Sequence, residues 1–359
     1  MDNLKVIASQ RNWIDTRSID SLKQIARFKS VKKVVGLPDL SVGNVPNGMA
    51  VLTKDYIFPH LIGGDIGCGM SLYEIPLGHA KSKKIKVERF EKKLEKLESI
   101  EDVELEDYEH MGYNLGTIGK GNHFAELHLV NEVKDKEAFE RLNLSESSIY
   151  ALVHSGSRAF GQIVFDKVAG SYEPEIGIDA NSQKASEYLE LHNKAIQYAH
   201  KSRDIIAKRI FKAIGFGEQV NRVSATAHNS IISTPNGWIH RKGATPTDKG
   251  AVIMAGSRGT LSYLVMPTAD TEGSIYSLSH GAGRKWERSS AEAKLRDKYT
   301  LKDLKRTKIG SRVICKDKKL IYEEAPQAYK NIDIVINDLV EAKLATVIAT
   351  FKPILTYKE

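Results

Sequence analysis

Cysteine is scarce in this chain: only Cys68 and Cys315 occur in 359 residues. That excludes a disulfide framework, and a cytoplasmic location is expected. Long hydrophobic runs are missing as well. No apolar stretch approaches the roughly 20 residues that span a bilayer, and Met1-Asp2-Asn3-Leu4-Lys5 lacks the basic-then-apolar order of a secretory signal. No membrane partner is expected. Familiar nucleotide motifs are absent too. Gly119-Lys120-Gly121 is only superficially like a Walker A loop, and no Gly-x-Gly-x-x-Gly follows a strand pattern. No Lys-x-Asp-Gly supplies the lysine nucleophile of common nucleotidyltransferase ligases, and neither His-Glu-x-x-His nor Cys-x-x-Cys occurs.

What is present is ordinary in bulk and uneven in distribution. An apolar content of 41% and a charged content of 27% are those of a soluble globular protein. The net charge is +8. The segment from Arg284 to Lys319 holds 14 Lys/Arg against 5 Asp/Glu, a local excess of +9 that leaves the remainder nearly neutral. Such a stretch reads either as a solvated face or as a contact surface for a phosphate backbone.

Apolar alternation predicts short strands near Val34–Val35, Ala50–Leu52, Ser71–Ile75, Ser148–Val153 and Val252–Met254. Helical spacing predicts helices over Ile19–Phe28, Lys84–Leu97, Ala185–Ile214 and Asp333–Thr350. Strands and helices mix without a βαβ rhythm, and no linker or internal repeat interrupts them. The expected fold is α+β, a single large domain over residues 1–359 with mixed sheets surrounded by helices.

The chemistry concentrates in a few polar sentences. Gly64-Asp65-Ile66-Gly67-Cys68-Gly69 puts a carboxylate three residues before a thiol, among glycines that permit close backbone approach. Five of the 11 histidines sit in similar Gly/Ser/Asn-rich settings: His123, His154, His228, His240 and His280. Each alone reads more readily as a structural residue. Grouped with Asp65 and Cys68, they make a thiolate, carboxylate and imidazole set suited to a borderline divalent metal. A thiolate has lone pairs enough to bridge two ions, a common arrangement for phosphoryl chemistry. Ligand softness alone favours zinc over manganese. The turns Ser155-Gly156-Ser157-Arg158 and Gly281-Ala282-Gly283-Arg284, each next to a histidine, suggest anion-holding backbone with an Arg fork.

In this order the segments resemble the RtcB family, the GTP- and manganese-dependent RNA ligases. The resemblance runs from about Val34 to Lys358. It rests on Asp65-Ile66-Gly67-Cys68-Gly69, Gly121-Asn122-His123-Phe124-Ala125-Glu126, His154-Ser155-Gly156-Ser157-Arg158, His228-Asn229, His240-Arg241-Lys242-Gly243-Ala244-Thr245, Ser279-His280-Gly281-Ala282-Gly283-Arg284 and Glu324-Ala325-Pro326-Gln327-Ala328-Tyr329-Lys330. It implies that Asp65, Cys68, His123, His154 and His228 hold two Mn²⁺ ions with Cys68 bridging, and that His280 is the nucleophile that becomes guanylylated. Asn122, Phe124, Glu126, Ser257, Ser262, Gly281, Ala282, Gly283, Tyr329 and Lys358 are then the GTP-binding residues. Arg158, Lys242 and Arg284 are the implied RNA contacts.

The implied reaction joins an RNA 3′-phosphate or 2′,3′-cyclic phosphate to a 5′-hydroxyl, in RNA repair or tRNA splicing. An imidazole nucleophile must be neutral, so acidification is expected to slow it. The resemblance leaves room for a helper protein. Three positions depart from the family pattern: Ser41 stands where a His is usual, Arg258 where a Met is usual, and Glu359 follows Lys358 in place of a terminal Gly. These departures and the short chain point to a specialised, repair-directed ligase. Two other readings stay open: an enzyme that guanylylates or hydrolyses RNA 3′ ends but seals poorly, and a non-catalytic RNA-binding protein.

Overall fold

The computed structural model describes residues 3–77, 85–97, 115–217 and 220–359. Its centre is a large, mostly antiparallel sheet. The strand order is Val252–Met254, Ser262–Pro267, Ala345–Lys358, Phe124–Val133, Ile149–Ser155, Gly69–Ile75 and Asn221–Ala227, with Arg312–Cys315 pairing in parallel along Ala345–Lys358. A five-stranded sheet lies beside it, in the order Leu4–Val6, Val31–Ser41, Asn47–Thr53, Gly237–Lys242 and Asn229–Thr234. Strands mixed with helices on more than one side make this the expected α+β fold.

The large sheet is buried on both faces, and the period of two sorts its side chains. Along Ile149–Ser155, residues Ile149, Ala151 and Val153 join a core with Ile206, Ile210 and Phe211 of the long helix. Tyr150 and Leu152 face the other way, into a core with Leu264, Ile348 and Phe351. The long helix, Gln183–Ile214, is opened by Ser182, whose side chain caps Ala185 N–H, and closed by Gly215 at φ 95°. Only a left-handed residue ends a helix that way without strain, which is why glycine stands there.

Most predicted elements are present with shifted ends. The first helix is Thr16–Ile25, capped by Asp15. The helix expected from Lys84 to Leu97 covers Val87–Leu94, and Lys84 itself lies outside the described residues. The helix expected over Asp333–Thr350 is a correction. It runs only from Ile332 to Glu341, and Ala345–Lys358 is a 14-residue strand in the middle of the large sheet. Lys343, at φ 57°, breaks the helix. Beyond it a run rich in Thr, Val and Ile fits a pleated, two-sided burial better than a helix. The strand has partners on both edges, Ser262–Pro267 and Phe124–Val133.

Candidate metal and nucleotide site

The ends of several strands bring the predicted metal residues together. Gly69 pairs with Ser155 on one side and Ala227 on the other, so the loop carrying Asp65 and Cys68 emerges between His154 and His228. A Cβ on Gly69 would lie 1.9 Å from Thr226 O, and one on Gly156 would lie 2.1 Å from Asp65 Oδ1. Gly69 is needed for its neighbouring backbone to approach this closely, and Gly156 leaves room for the Asp65 carboxylate. Arg203 of the long helix ties the arrangement down from below. It is fully buried, and its Nη1 donates to Gly67 O at 3.0 Å and Ser155 O at 2.8 Å, while Nε donates to Ser71 Oγ at 3.0 Å. Backbone bonds from His228 and Asn229 N–H both end on Cys68 O.

The donor atoms form two groups that share one residue. Asp65, Cys68 and His123 make one, and Cys68, His154 and His228 the other, with all atoms of each group within 4.8 Å. Cys68 Sγ lies 3.3 Å from Nε2 of both His123 and His154, and His154 Nε2 lies 3.3 Å from His228 Nε2. His123 Nε2 is 3.0 Å from Asp65 Oδ2. Burial holds His154 and His228 well below the ordinary imidazole value, so both are neutral at pH 7. His154 Nδ1 is 3.2 Å from Asn122 O, to which it donates, leaving the Nε2 lone pair directed at the cluster. Burial and then Asp65 push the Cys68 thiol up, so a cation would be needed to keep it as thiolate. Buried imidazole lone pairs facing each other across a thiol are poor neighbours without a cation. The donor set therefore fits two divalent ions with Cys68 common to both.

His280 stands beside this cluster, its ring centroid 4.6 Å from that of His228. Its Nδ1 is 2.6 Å from Asp39 Oδ2, and its backbone N–H donates to the same oxygen at 3.0 Å. Gly243 O is 2.9 Å from Nδ1. With the Nδ1 proton held between two oxygens, the lone pair is on Nε2. Asp39 is fully buried and was not among the residues singled out from the sequence. Only Ser41, two residues on, carries a sequence signal in this segment. Lys330 Nζ donates to Pro38 O and Leu40 O at 3.1 and 2.7 Å, holding the backbone on either side of Asp39.

A pocket runs from His280 to Lys358. Of the expected GTP-binding residues, Asn122, Phe124, Glu126, Ser257, Gly281, Ala282, Gly283, Tyr329 and Lys358 line it; Ser41 and Arg258 do so too. Ser262 does not: it is fully buried behind the wall, where its Oγ accepts from Gly256 N–H at 3.1 Å. Tyr329 OH donates to Glu324, and Thr356 Oγ1 to Glu126. Burial lowers Lys358 to about 8, and its Nζ donates to His123 O at 2.7 Å.

The three expected RNA cations differ in availability. Arg158 Nη1 lies 2.8 Å from His123 Nδ1, beside the metal cluster. Lys242 Nζ is bound to Ile62 O at 2.6 Å. Arg284 is engaged with Trp286 O, Glu324 and Glu323 O, so it braces the pocket wall. Arg288, not noticed in the sequence, lines the pocket with 48% of its side chain exposed and donates to Asn122 Oδ1 at 3.3 Å. Its only sequence signal was membership of the basic stretch.

The family model described as tRNA-splicing ligase RtcB matches residues 84–359. The chain is 41% identical to RNA-splicing ligase RtcB2 of Escherichia coli, over 99% of this chain and 96% of that one. It is 26% identical to tRNA-splicing ligase RtcB of Nanoarchaeum equitans, over 99% of this chain and 93% of that protein. It is 28% identical to RNA-splicing ligase RtcB homolog 1 of Entamoeba histolytica, over 68% of this chain and 54% of that protein. With a match over most of its length and a relative of this likeness along its whole course, the chain belongs to the RtcB family.

Proposed function

We propose that this protein is a GTP-dependent RNA ligase that joins RNA 3′-phosphate or 2′,3′-cyclic phosphate ends to 5′-hydroxyl ends. One observation carries the reading most directly. A histidine whose Nδ1 is held by a buried carboxylate stands beside a thiol shared by two metal-capable groups, in the wall of a pocket lined by polar and aromatic side chains. The names of the relatives agree with it.

Asp65, Cys68, His123, His154 and His228 would hold two Mn²⁺ ions, which supply charge neutralisation and orientation for phosphate oxygens. The rest is done by the chain. Asp39 and Gly243 O keep the His280 proton on Nδ1, so Nε2 can attack the α-phosphorus of GTP and expel pyrophosphate. Phe124, Tyr329, Glu126 and Lys358, which line the same pocket, would receive the base. An oxygen of the RNA 3′-phosphate then takes the GMP from His280, breaking the N–P bond and forming a 3′-pp-5′-G end. The 5′-hydroxyl attacks the RNA phosphorus, GMP leaves, and a phosphodiester remains. A hydroxyl end has no leaving group of its own, which is why the phosphate end must be activated.

The test is transfer of label from α-labelled GTP to Mn²⁺-loaded protein. Wild type should take up one acid-labile label and His280→Ala none. A folded, metal-loaded wild type that takes no label overturns the mechanism.

A further inference from the structure

Trp13 is 53% exposed, the most exposed large apolar side chain among the described residues. A lone surface apolar group needs no explanation, but this one does not stand alone. It lines two adjoining clefts, and Lys285 and Trp286 line both of them with it. The first cleft adjoins the reactive pocket, since Ser41 and Arg284 line both. A row of adjoining clefts therefore lies between the pocket beside His280 and the two tryptophans.

The charges along this row are sorted. Its acidic groups nearest Trp13 are both paired, Asp15 and Glu287 sharing Arg17 at 2.8 Å each, which leaves one net negative charge. The lysines are not. Lys294 and Lys285 Nζ lie 4.7 and 5.5 Å from the centre of the Trp286 ring, and neither has a carboxylate partner among the described residues. They begin the stretch with a +9 excess. An exposed indole at Trp13, a half-buried one at Trp286 and cations without carboxylate partners are what a single strand of nucleic acid uses: flat faces for bases and positive charge for phosphates.

We propose that the cleft between Trp13 and Trp286 is a stacking slot for the single-stranded RNA whose reactive end enters the pocket, with one base lying on Trp13. The slot rests on the ligase reading for which end it receives. Its occupant is RNA rather than an acidic protein, because the clefts adjoin a site for a phosphate end and their exposed apolar surface is aromatic. Trp13 touches neither GTP nor the reacting atoms. It sets where the strand lies, and Lys285 and Lys294 contribute sequence-independent attraction.

The probe is a short single-stranded RNA ending in a 3′-phosphate, with 2-aminopurine near that end. Wild type should quench its fluorescence, and Trp13→Ala should bind it about 10-fold more weakly or worse. Trp13→Phe should restore most of the affinity. Label uptake from GTP should be unchanged in Trp13→Ala, while the KM for the RNA in sealing rises and kcat holds. An abasic site in the probe should weaken wild type and leave Trp13→Ala unaffected. Equal affinity of wild type and Trp13→Ala for the probe overturns the slot. So does an abasic probe that binds wild type as well as the intact one, which would assign the clefts to a plain polyanion or an acidic protein surface. RNA binding is measured without GTP, so a wild type that takes no label but shows the Trp13 effect overturns the ligase reading and leaves the slot standing.

Discussion

Asp39→Asn tests the chemistry of the site with almost no change in shape. In the native protein the Asp39 carboxylate accepts both from His280 backbone N–H at 3.0 Å and from Nδ1 at 2.6 Å. Both bonds end on Oδ2, and Oδ1 has no hydrogen-bond partner among the described residues. An asparagine keeps the volume but offers an N–H₂ group as well as an oxygen. If its N–H₂ group faces the ring, it donates to Nδ1 and moves the imidazole proton to Nε2, the atom that has to be unprotonated. If its oxygen faces the ring, the tautomer survives but the negative charge that would stabilise the developing imidazolium is gone. The equivalent change in a serine protease triad lowers kcat about 10⁴-fold through the wrong tautomer. A loss of roughly 10²- to 10⁴-fold in the rate of label uptake from GTP is expected here. The stability change should be modest, since hydrogen bonds to a charged group contribute about 1.5–3 kcal/mol. The assay is the single-turnover rate of acid-labile label on Mn²⁺-loaded protein, with metal content and a denaturation midpoint as controls. Label uptake at the wild-type rate in a folded Asp39→Asn variant would refute the assignment of Asp39 as the group that orients His280.

Two further outcomes follow from the same geometry. Cys68 belongs to both metal-capable groups, whereas Asp65 and His228 belong to one each. Elemental analysis after Mn²⁺ loading should find two ions per chain in wild type, neither retained tightly in Cys68→Ala, and one in His228→Ala; full occupancy in Cys68→Ala would remove the bridging role. Stability of the metal-free protein should fall on mild acidification. Burial lowers His192 to about 4 and His240 to about 3, while unfolded histidine titrates near 6.5. Between those values the unfolded chain binds protons that the folded one does not, so stability falls as pH drops below 6.5, by about 1.4 kcal/mol per pH unit for each such histidine. Urea unfolding midpoints at pH 7 and pH 5.5 measure this, and equal midpoints would contradict it.

How much of the site could be read from sequence depended on how local each signal was. Asp65 and Cys68 sit three residues apart, and His123, His154, His228 and His280 each carry a glycine- or asparagine-rich setting of their own, so all were recognisable. Asp39 and Arg203 were not. Asp39 acts on a residue 241 positions away, and Arg203 lies in an ordinary-looking helical stretch while donating to carbonyls 48 and 136 positions distant. Arg284 illustrates the opposite failure. Its motif suggests a free phosphate fork, but the Glu324 carboxylate and the Glu323 carbonyl that occupy it lie 40 and 39 positions away, and the Trp286 carbonyl takes Nε. Ser262 has the right residue type for a pocket wall and lies just behind it.

The C-terminal segment divides the two levels most clearly. Taken alone, residues 333–350 have apolar spacing that a helix can satisfy, and the helix does form as far as Glu341. Beyond Lys343 the choice belongs to partners: Ser262–Pro267 and Phe124–Val133 supply the ladder bonds that make Ala345–Lys358 a central strand. By itself the sequence determined the mixed α+β composition, the chemical types of the metal donors, the family and the basic stretch, because each is carried by residue identity or short spacing. Only the tertiary structure decided that Cys68 lies between two groups, that Asp39 orients His280, which cations are already bound to carbonyls and carboxylates, and that Trp13 and Trp286 border one groove. Hydrogen-bond partners and lining surfaces join residues hundreds of positions apart, and a sequence holds no record of such distances until the chain is folded.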